Sequence, residues 1–251
     1  MRFWEKVDRQ MLLLRSCLFY AGLAASTLIF APVSILILPL PFLWRYRFIS
    51  GWIYFNLWWL EITCRLRYQV EYVDDPPKET AIVLCKHQSA WETLSLQQIF
   101  PPQVYVIKRE LLWIPFFGWS LATLEPIAID RTSTRRALGQ IIEQGTQRLR
   151  AGRWVIIFPE GTRIAPGERG PYLPAGGLLA EKTGYPVVPV AHNAGLFWPR
   201  NSFIKRPGTI RLVVGPVIEP KGKTAADIKG QAEDWIERTM QRLSSETVTN
   251  A

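Results

Sequence analysis

Residues 81–93 read AIVLCKHQSAWET, a short apolar run that is followed by a polar turn and the start of a helix. Residues 81–85 have the length and composition of a strand buried on both faces, and residues 91–99 predict a helix directly after it. Further buried strands are predicted at 103–107, 126–129, 154–158, 187–191 and 210–214, and further helices at 133–150, 175–182 and 225–243. This alternation predicts an α/β domain with a largely parallel sheet flanked by helices.

The N-terminal segment is apolar and differs from the rest of the chain. Residues 16–44 carry no charge; as one straight helix they would extend about 43 Å, more than the roughly 30 Å hydrocarbon core of a bilayer. Pro32, Pro39 and Pro41 argue against such a helix, and the apolar stretch at 48–60 is too short to span a membrane. Three interpretations stay open: a transmembrane helix ending near Pro39, a re-entrant pair of helices in one leaflet, and a signal peptide. A signal peptide is least favoured, because the long apolar stretch has no clear cleavage site near its end.

Charge and aromatic content connect this segment with lipid. The first 70 residues hold eight Lys/Arg against three Asp/Glu, so they contribute +5 of the net charge of +9. They also hold five of the 11 Trp residues, which suits a membrane interface with anionic headgroups. No zinc-finger spacing, RNA-binding aromatic motif or long basic run indicates nucleic acid. Three scattered cysteines predict neither a disulfide framework nor a metal site. The sequence DDPPK at 74–78 suggests a boundary between a membrane-associated segment, 1–70, and a catalytic domain, 71–251.

The polar turn after the first strand contains a candidate base. His87 would lie beyond the carboxyl end of the strand, where α/β sheets bind ligands, and Glu92 would lie in the first turn of the next helix. If the chain reversal brings them together, Glu92 fixes the imidazole tautomer and leaves the other nitrogen free to accept a hydroxyl proton. A lone loop histidine is more often solvated or structural. Ser89 is a rival nucleophile, but it lacks the GxSxG setting and is interpreted as a helix cap.

Two later segments could bind an anion. FPEGTR, residues 158–163, follows another strand; its glycine brings backbone N–H groups close to a ligand, and Arg163 offers a planar donor fork suited to phosphate. An ordinary strand-ending turn is the alternative. Lys108 and Arg131 each follow a predicted strand and would add positive charge to the same pocket. Between them, six apolar residues within 111–117 predict an acyl channel, a membrane contact or plain core.

Taken together, these motifs resemble the glycerolipid acyltransferase family, specifically the bacterial 1-acyl-sn-glycerol-3-phosphate acyltransferases. The first family motif, His-x4-acid, matches His87 and Glu92. The second is similar to residues 108–131, the third is FPEGTR letter for letter, and the fourth resembles VVPV at 187–190. The resemblance covers about residues 60–220.

The resemblance implies direct transfer of an acyl group from acyl-CoA or acyl-carrier protein to the sn-2 hydroxyl of lysophosphatidic acid. The product would be phosphatidic acid for phospholipid biosynthesis, and no metal or other cofactor is implied. The substrate-binding residues would be Lys108, Arg131, Glu160, Gly161, Thr162 and Arg163. The family also implies a two-helix membrane element, and an enzyme at the bacterial inner membrane whose catalytic domain faces the cytoplasm.

Two departures from the family pattern bear on the substrate. The acid of the first motif is usually Asp, and here it is the longer Glu92. Relatives often carry lysines near residues 172–175, where this chain has Tyr-Leu-Pro-Ala. An acyltransferase for another lysolipid, such as lyso-ornithine lipid, and a non-catalytic lipid-binding membrane protein are therefore kept as alternatives.

Overall fold

The computed structural model describes residues 2–75 and 79–249, and within them the predicted α/β class is confirmed. The strand order is β1-β7-β6-β2-β5-β3-β4, and all neighbouring strands are parallel except β6 and β7. The strands are β1 (Leu66–Tyr72), β2 (Ile82–Cys85), β3 (Gln103–Lys108), β4 (Ile127–Ile129), β5 (Trp154–Ile157), β6 (Val187–His192) and β7 (Gly208–Val214). Six of these match the predicted strands closely; β1 was not predicted.

Helices cover both faces of the sheet. They are α1 (Arg2–Leu36), α2 (Phe42–Cys64), α3 (Trp91–Ile99), α4 (Phe117–Ala122), α5 (Thr134–Arg150), α6 (Ala175–Thr183), α7 (Ala194–Phe197) and α8 (Ala225–Thr249), with a 3-10 turn at Arg109–Trp113. Helix α6 packs between α5 and α8, all three contact the sheet, and α2 packs on α3 and β1. Because β2, β5 and β3 are parallel neighbours in the sheet, their carboxyl ends lie side by side, and the turns that follow these strands lie close together.

The two-helix N-terminal element is present. Helix α1 runs through Pro32, where an interruption was expected, and the chain reverses between Leu36 and Phe42. Packing beyond the proline holds the last turn of α1, since Ser34 Oγ donates to Ser120 Oγ at 2.8 Å. The helices approach closely at Gly22, where a Cβ would overlap the indole ring of Trp59.

Much of this helical pair is apolar and exposed. In the described part of the chain, α1 contains the one stretch, Asp8–Leu36, whose length and mean hydropathy of 1.8 would allow a membrane span, and only 22% of its most apolar part is buried. Exposed large apolar residues continue into α2, including Trp44, Tyr54 and Trp58. An exposed surface of this kind suits contact with lipid.

The pair is also fastened to the sheet domain. Arg45 of α2 donates to Thr123 O at 2.7 Å and pairs with Glu125 at 2.6 Å, and the Tyr46 hydroxyl donates to Gln97 O at 2.8 Å. Strand β1 crosses the predicted domain boundary at residue 70, because the sheet begins at Leu66 and not after residue 70. Residues 76–78 of the suggested DDPPK linker lie outside the described residues.

Candidate active site

His87 and Glu92 meet in the turn between β2 and α3. The His87 Nδ1 atom lies 2.8 Å from Glu92 Oε1, which also accepts from the N–H groups of Gln88 at 2.9 Å and Ser89 at 2.8 Å. Because a carboxylate only accepts hydrogen bonds, Nδ1 carries the hydrogen and Nε2 is left as the basic nitrogen. The imidazole stacks on Phe158 with ring centroids 4.0 Å apart, which fixes its plane.

Glu92 is held as an anion in the interior. Its side chain is fully buried, which raises the pKa, but the hydrogen bonds from His87 and from the backbone N–H of Ser89 act against burial, and the pKa lies below its ordinary value. The His87 side chain, by contrast, is 14% exposed and lines a cavity. The pair therefore has a buried carboxylate that orients the imidazole and an accessible nitrogen that can take a proton.

Ser89 is not placed as a nucleophile. Its side chain is completely buried and does not line the cavity. Its hydroxyl accepts from the Trp91 N–H at 3.2 Å, at the start of α3. The backbone assigns the N-cap position to the next residue, Ala90, so Ser89 supports the helix start from one residue further out.

The cavity beside His87 has a volume of about 900 Å³. Its lining is mostly apolar and comes from the sheet domain and from both N-terminal helices. The residues contributed by α1 and α2 are Thr27, Phe30, Ala31, Ser34, Ile49, Trp52 and Ile53. A cavity of this composition suits an acyl chain.

Four cationic residues also line the cavity: Lys108, Arg131, Arg163 and Arg200. Arg131 donates to Gly161 O at 2.6 Å, and Arg200 donates to Arg163 O at 2.9 Å. Hydrogen bonds thus tie two of the arginines to the FPEGTR turn, where Gly161 has a φ of +65°. The lining includes Thr162 as well, so the structure brings together all the predicted substrate-binding residues except one.

That exception is Glu160, whose carboxylate is buried and absent from the cavity wall. Its Oε1 accepts from Lys86 Nζ at 2.7 Å, and its Oε2 accepts from the His87 N–H at 3.1 Å. Lys86 also donates to Glu237 Oε1 of α8 at 2.8 Å. Glu160 thus faces away from the cavity and supports the turn that carries His87, and its predicted substrate contact stays a prediction.

The apolar residues between Lys108 and Arg131 are not core. None of the six within 111–117 is buried. Leu111 and Phe117 line the cavity, whereas Trp113, Ile114 and Phe116 are exposed. The core alternative is therefore wrong, and both the channel and the surface interpretation describe part of the segment.

Sequence reasoning missed Lys86 and Arg200. Lys86 directly precedes His87, but its partner Glu237 is remote in sequence and gave no local signal. Arg200 belongs to no recognised motif.

Where relatives often carry lysines, Leu173 and Pro174 of this chain line the cavity, and the Tyr172 hydroxyl donates to Glu237 at 2.8 Å. Among residues 2–75 and 79–249, no cluster of His, Cys, Asp or Glu is suited to a metal ion.

Comparisons with known proteins show what the chain is similar to. A family model described as acyltransferase matches residues 65–193. A 1-acyl-sn-glycerol-3-phosphate acyltransferase of Pseudomonas aeruginosa is 44% identical over 236 residues, 92% of each chain. The 1-acyl-sn-glycerol-3-phosphate acyltransferase alpha of Mus musculus is 28% identical over 70% of this chain and 62% of its own.

A solved structure shares the fold. The crystal structure of the 1-acyl-sn-glycerophosphate (LPA) acyltransferase PlsC from Thermotoga maritima aligns with a TM-score of 0.74, over 95% of this chain and 97% of that one, at 22% identity. The family model matches more than half of the chain, and the Pseudomonas relative matches nearly all of it. On these grounds this chain belongs to the acyltransferase family.

Proposed function

We propose that this chain is a 1-acyl-sn-glycerol-3-phosphate acyltransferase, which transfers an acyl group to the sn-2 hydroxyl of lysophosphatidic acid and yields phosphatidic acid. The observation that carries the proposal is the His87–Glu92 pair, 2.8 Å apart, at the wall of a cavity with both cationic and apolar lining. The acceptor has the matching composition: a phosphate, a free hydroxyl and an acyl chain.

In the proposed reaction His87 Nε2 removes the proton from the acceptor hydroxyl. The oxygen attacks the thioester carbonyl of the donor and forms a tetrahedral intermediate. Collapse of this intermediate breaks the carbon–sulfur bond, and the leaving thiolate takes the proton from His87. Glu92 stays ionised and pairs with the imidazolium that forms in between. No metal or other cofactor is needed for this sequence of steps.

The cationic residues support phosphate as the acceptor's headgroup. Arg163 and Lys108 are the proposed phosphate contacts, with Arg131 beside them. An arginine–phosphate contact is charge-assisted and commonly bidentate. This cluster favours lysophosphatidic acid over a lysolipid without a phosphate, such as lyso-ornithine lipid. Acyl-CoA and acyl-carrier protein both remain candidate donors.

The apolar surface of α1 and α2 supports a membrane location. We place the enzyme at the bacterial inner membrane with its sheet domain on the cytoplasmic side, where thioester donors are made. Exposed Trp44 and Trp58 on α2 suit the headgroup region.

The direct test is acyl transfer by the purified, detergent-solubilised protein to lysophosphatidic acid, with acyl-CoA and acyl-carrier protein compared as donors. We expect phosphatidic acid from the wild type and loss of turnover in His87→Ala with unchanged folding. A lysolipid without phosphate serves as the control acceptor. Normal turnover in His87→Ala would overturn the mechanism, and no product with either donor would overturn the proposed function.

A further inference from the structure

The chain has two histidines, and the second, His192, is completely buried at the end of β6. We infer that His192 is a positioning residue for the acyl transfer proposed above: it holds the turn that carries His87, and its locked neutral form leaves Glu92 to pair with His87 alone. The inference rests on the proposed function for its kinetic part and on geometry alone for the rest.

The hydrogen bonds of His192 fix its tautomer. The Nε2 atom lies 2.8 Å from the carbonyl oxygen of Lys86, which can only accept, so Nε2 carries the hydrogen. On the other side of the ring, Nδ1 accepts from the Ala194 N–H at 3.2 Å. A second proton on Nδ1 would point at that N–H group, donor against donor. Both ring nitrogens are therefore committed in the neutral form.

The surroundings also oppose protonation. The charged and titratable groups that face His192 are Glu92 of α3, and Lys86 and His87 of the turn after β2. Burial is the strongest influence and lowers the pKa of His192, although Glu92 acts in the opposite direction. The edge of the buried Trp91 ring closes another side.

Glu92 lies between the two imidazoles. Its Oε1 accepts a hydrogen bond from His87 Nδ1, whereas its Oε2 has no hydrogen-bond partner among the described residues and lies 3.8 Å from His192 Nε2. A protonated His192 would compete with His87 for this carboxylate. Because the backbone keeps His192 neutral, a proton taken from the acceptor hydroxyl is stabilised only on His87. The same hydrogen bond to the Lys86 carbonyl fixes the backbone one residue before the base.

Two histidines make this testable by NMR of protein labelled with ¹⁵N only at histidine. We expect the His192 imidazole to keep the shifts of a neutral Nε2–H ring throughout pH 5 to 8. The His87→Ala variant, which removes one set of signals, assigns them. Titration of His192 in this range, or a neutral Nδ1–H form, would overturn the inference. This measurement needs no substrate, so its outcome is separate from that of the proposed function.

Kinetics then test the positioning role. His192→Phe keeps a planar ring but loses both hydrogen bonds, whereas the amide of His192→Gln can still donate to the Lys86 carbonyl. We expect kcat to fall about 10- to 100-fold in His192→Phe with KM nearly unchanged, the effect of losing about one or two hydrogen bonds. We expect His192→Gln to recover most of the loss. Wild-type kcat in folded His192→Phe, or equal loss in both variants with intact folding, would overturn the role. If His192→Phe does not fold, a kcat of His192→Gln within about threefold of wild type supports the inference, and a larger loss overturns it.

Discussion

Shortening Glu92 to Asp tests whether acyl transfer depends on the hydrogen bond between this carboxylate and His87. The family pattern usually has Asp at this position, yet here the carboxylate of Glu92 sits 2.8 Å from His87 Nδ1. Removing one methylene withdraws the carboxylate by about 1.5 Å, the length of one carbon–carbon bond. If α3 stays in place, the nitrogen–oxygen distance grows to about 4 Å, beyond the roughly 3.2 Å limit of a hydrogen bond.

The expected loss follows from that single contact. A hydrogen bond to a charged group contributes about 1.5–3 kcal/mol, so kcat should fall roughly 10- to 150-fold in Glu92→Asp. The KM for the acceptor should change little, because Glu92 is completely buried and does not line the cavity. The N–H groups of Gln88 and Ser89 lose the same acceptor, so the variant should also unfold at a lower temperature.

The assay is steady-state acyl transfer to lysophosphatidic acid, with thermal unfolding measured on the same preparation. Glu143→Asp is the matched control, since Glu143 is exposed on α5 and outside the cavity wall. A kcat within about twofold of wild type in Glu92→Asp would refute the reasoning, because such a change is under 0.5 kcal/mol of barrier. It would mean that the turn adjusts to the shorter acid.

Three further outcomes are expected. Lys86→Met leaves the buried carboxylate of Glu160 and the partly exposed carboxylate of Glu237 without their shared cation, so stability should fall by about 3–5 kcal/mol; adding Glu237→Gln should restore part of it in thermal unfolding, and a still less stable double variant would contradict this. Arg163→Ala should raise the KM for lysophosphatidic acid about 10- to 100-fold and leave a phosphate-free acceptor unaffected; equal effects on both acceptors would contradict a phosphate contact. Because the folded-state pKa of Glu92 is depressed, its stabilising contribution is complete above its ordinary value of 4.5 and is lost as the pH falls further, through the folded-state pKa; the unfolding midpoint of wild type should therefore drop more steeply below pH 4.5 than that of Glu92→Gln, and parallel curves would contradict this.

The central strands could be predicted because their signal is local. Residues of β2 are buried on both faces, so the chain there is continuously apolar. Strand β1 was missed for the opposite reason: it lies at the sheet edge, has only Leu66 fully buried among partly buried and exposed residues, and pairs with β7 from the far end of the chain. Its pairing partner supplies the stabilisation, and no window around Leu66 contains that partner.

The same distinction separates the parts of the site. His87 and Glu92 are five residues apart across one strand-to-helix turn, so their meeting could be inferred from the sequence. The motif located Glu160 but not the direction of its side chain. That direction is set by Lys86, which in turn is held by Glu237 of α8. Side chains that act through remote partners are visible only once the sheet and its helices are assembled.

The anchoring of the N-terminal helices bears on how an amphipathic substrate meets the base. Helices α1 and α2 supply part of the apolar cavity wall, so this wall is not a property of the sheet domain alone. Arg45, bonded to Thr123 and Glu125, holds α2 against the loop before β4. In the proposed reaction, the lipid chain would therefore follow a wall that is fixed relative to His87, while the phosphate meets the arginines at the FPEGTR turn. The acceptor's glycerol backbone limits the distance between its phosphate and its hydroxyl, so a phosphate held at the arginines and a chain held along this wall together restrict where the hydroxyl can lie relative to Nε2.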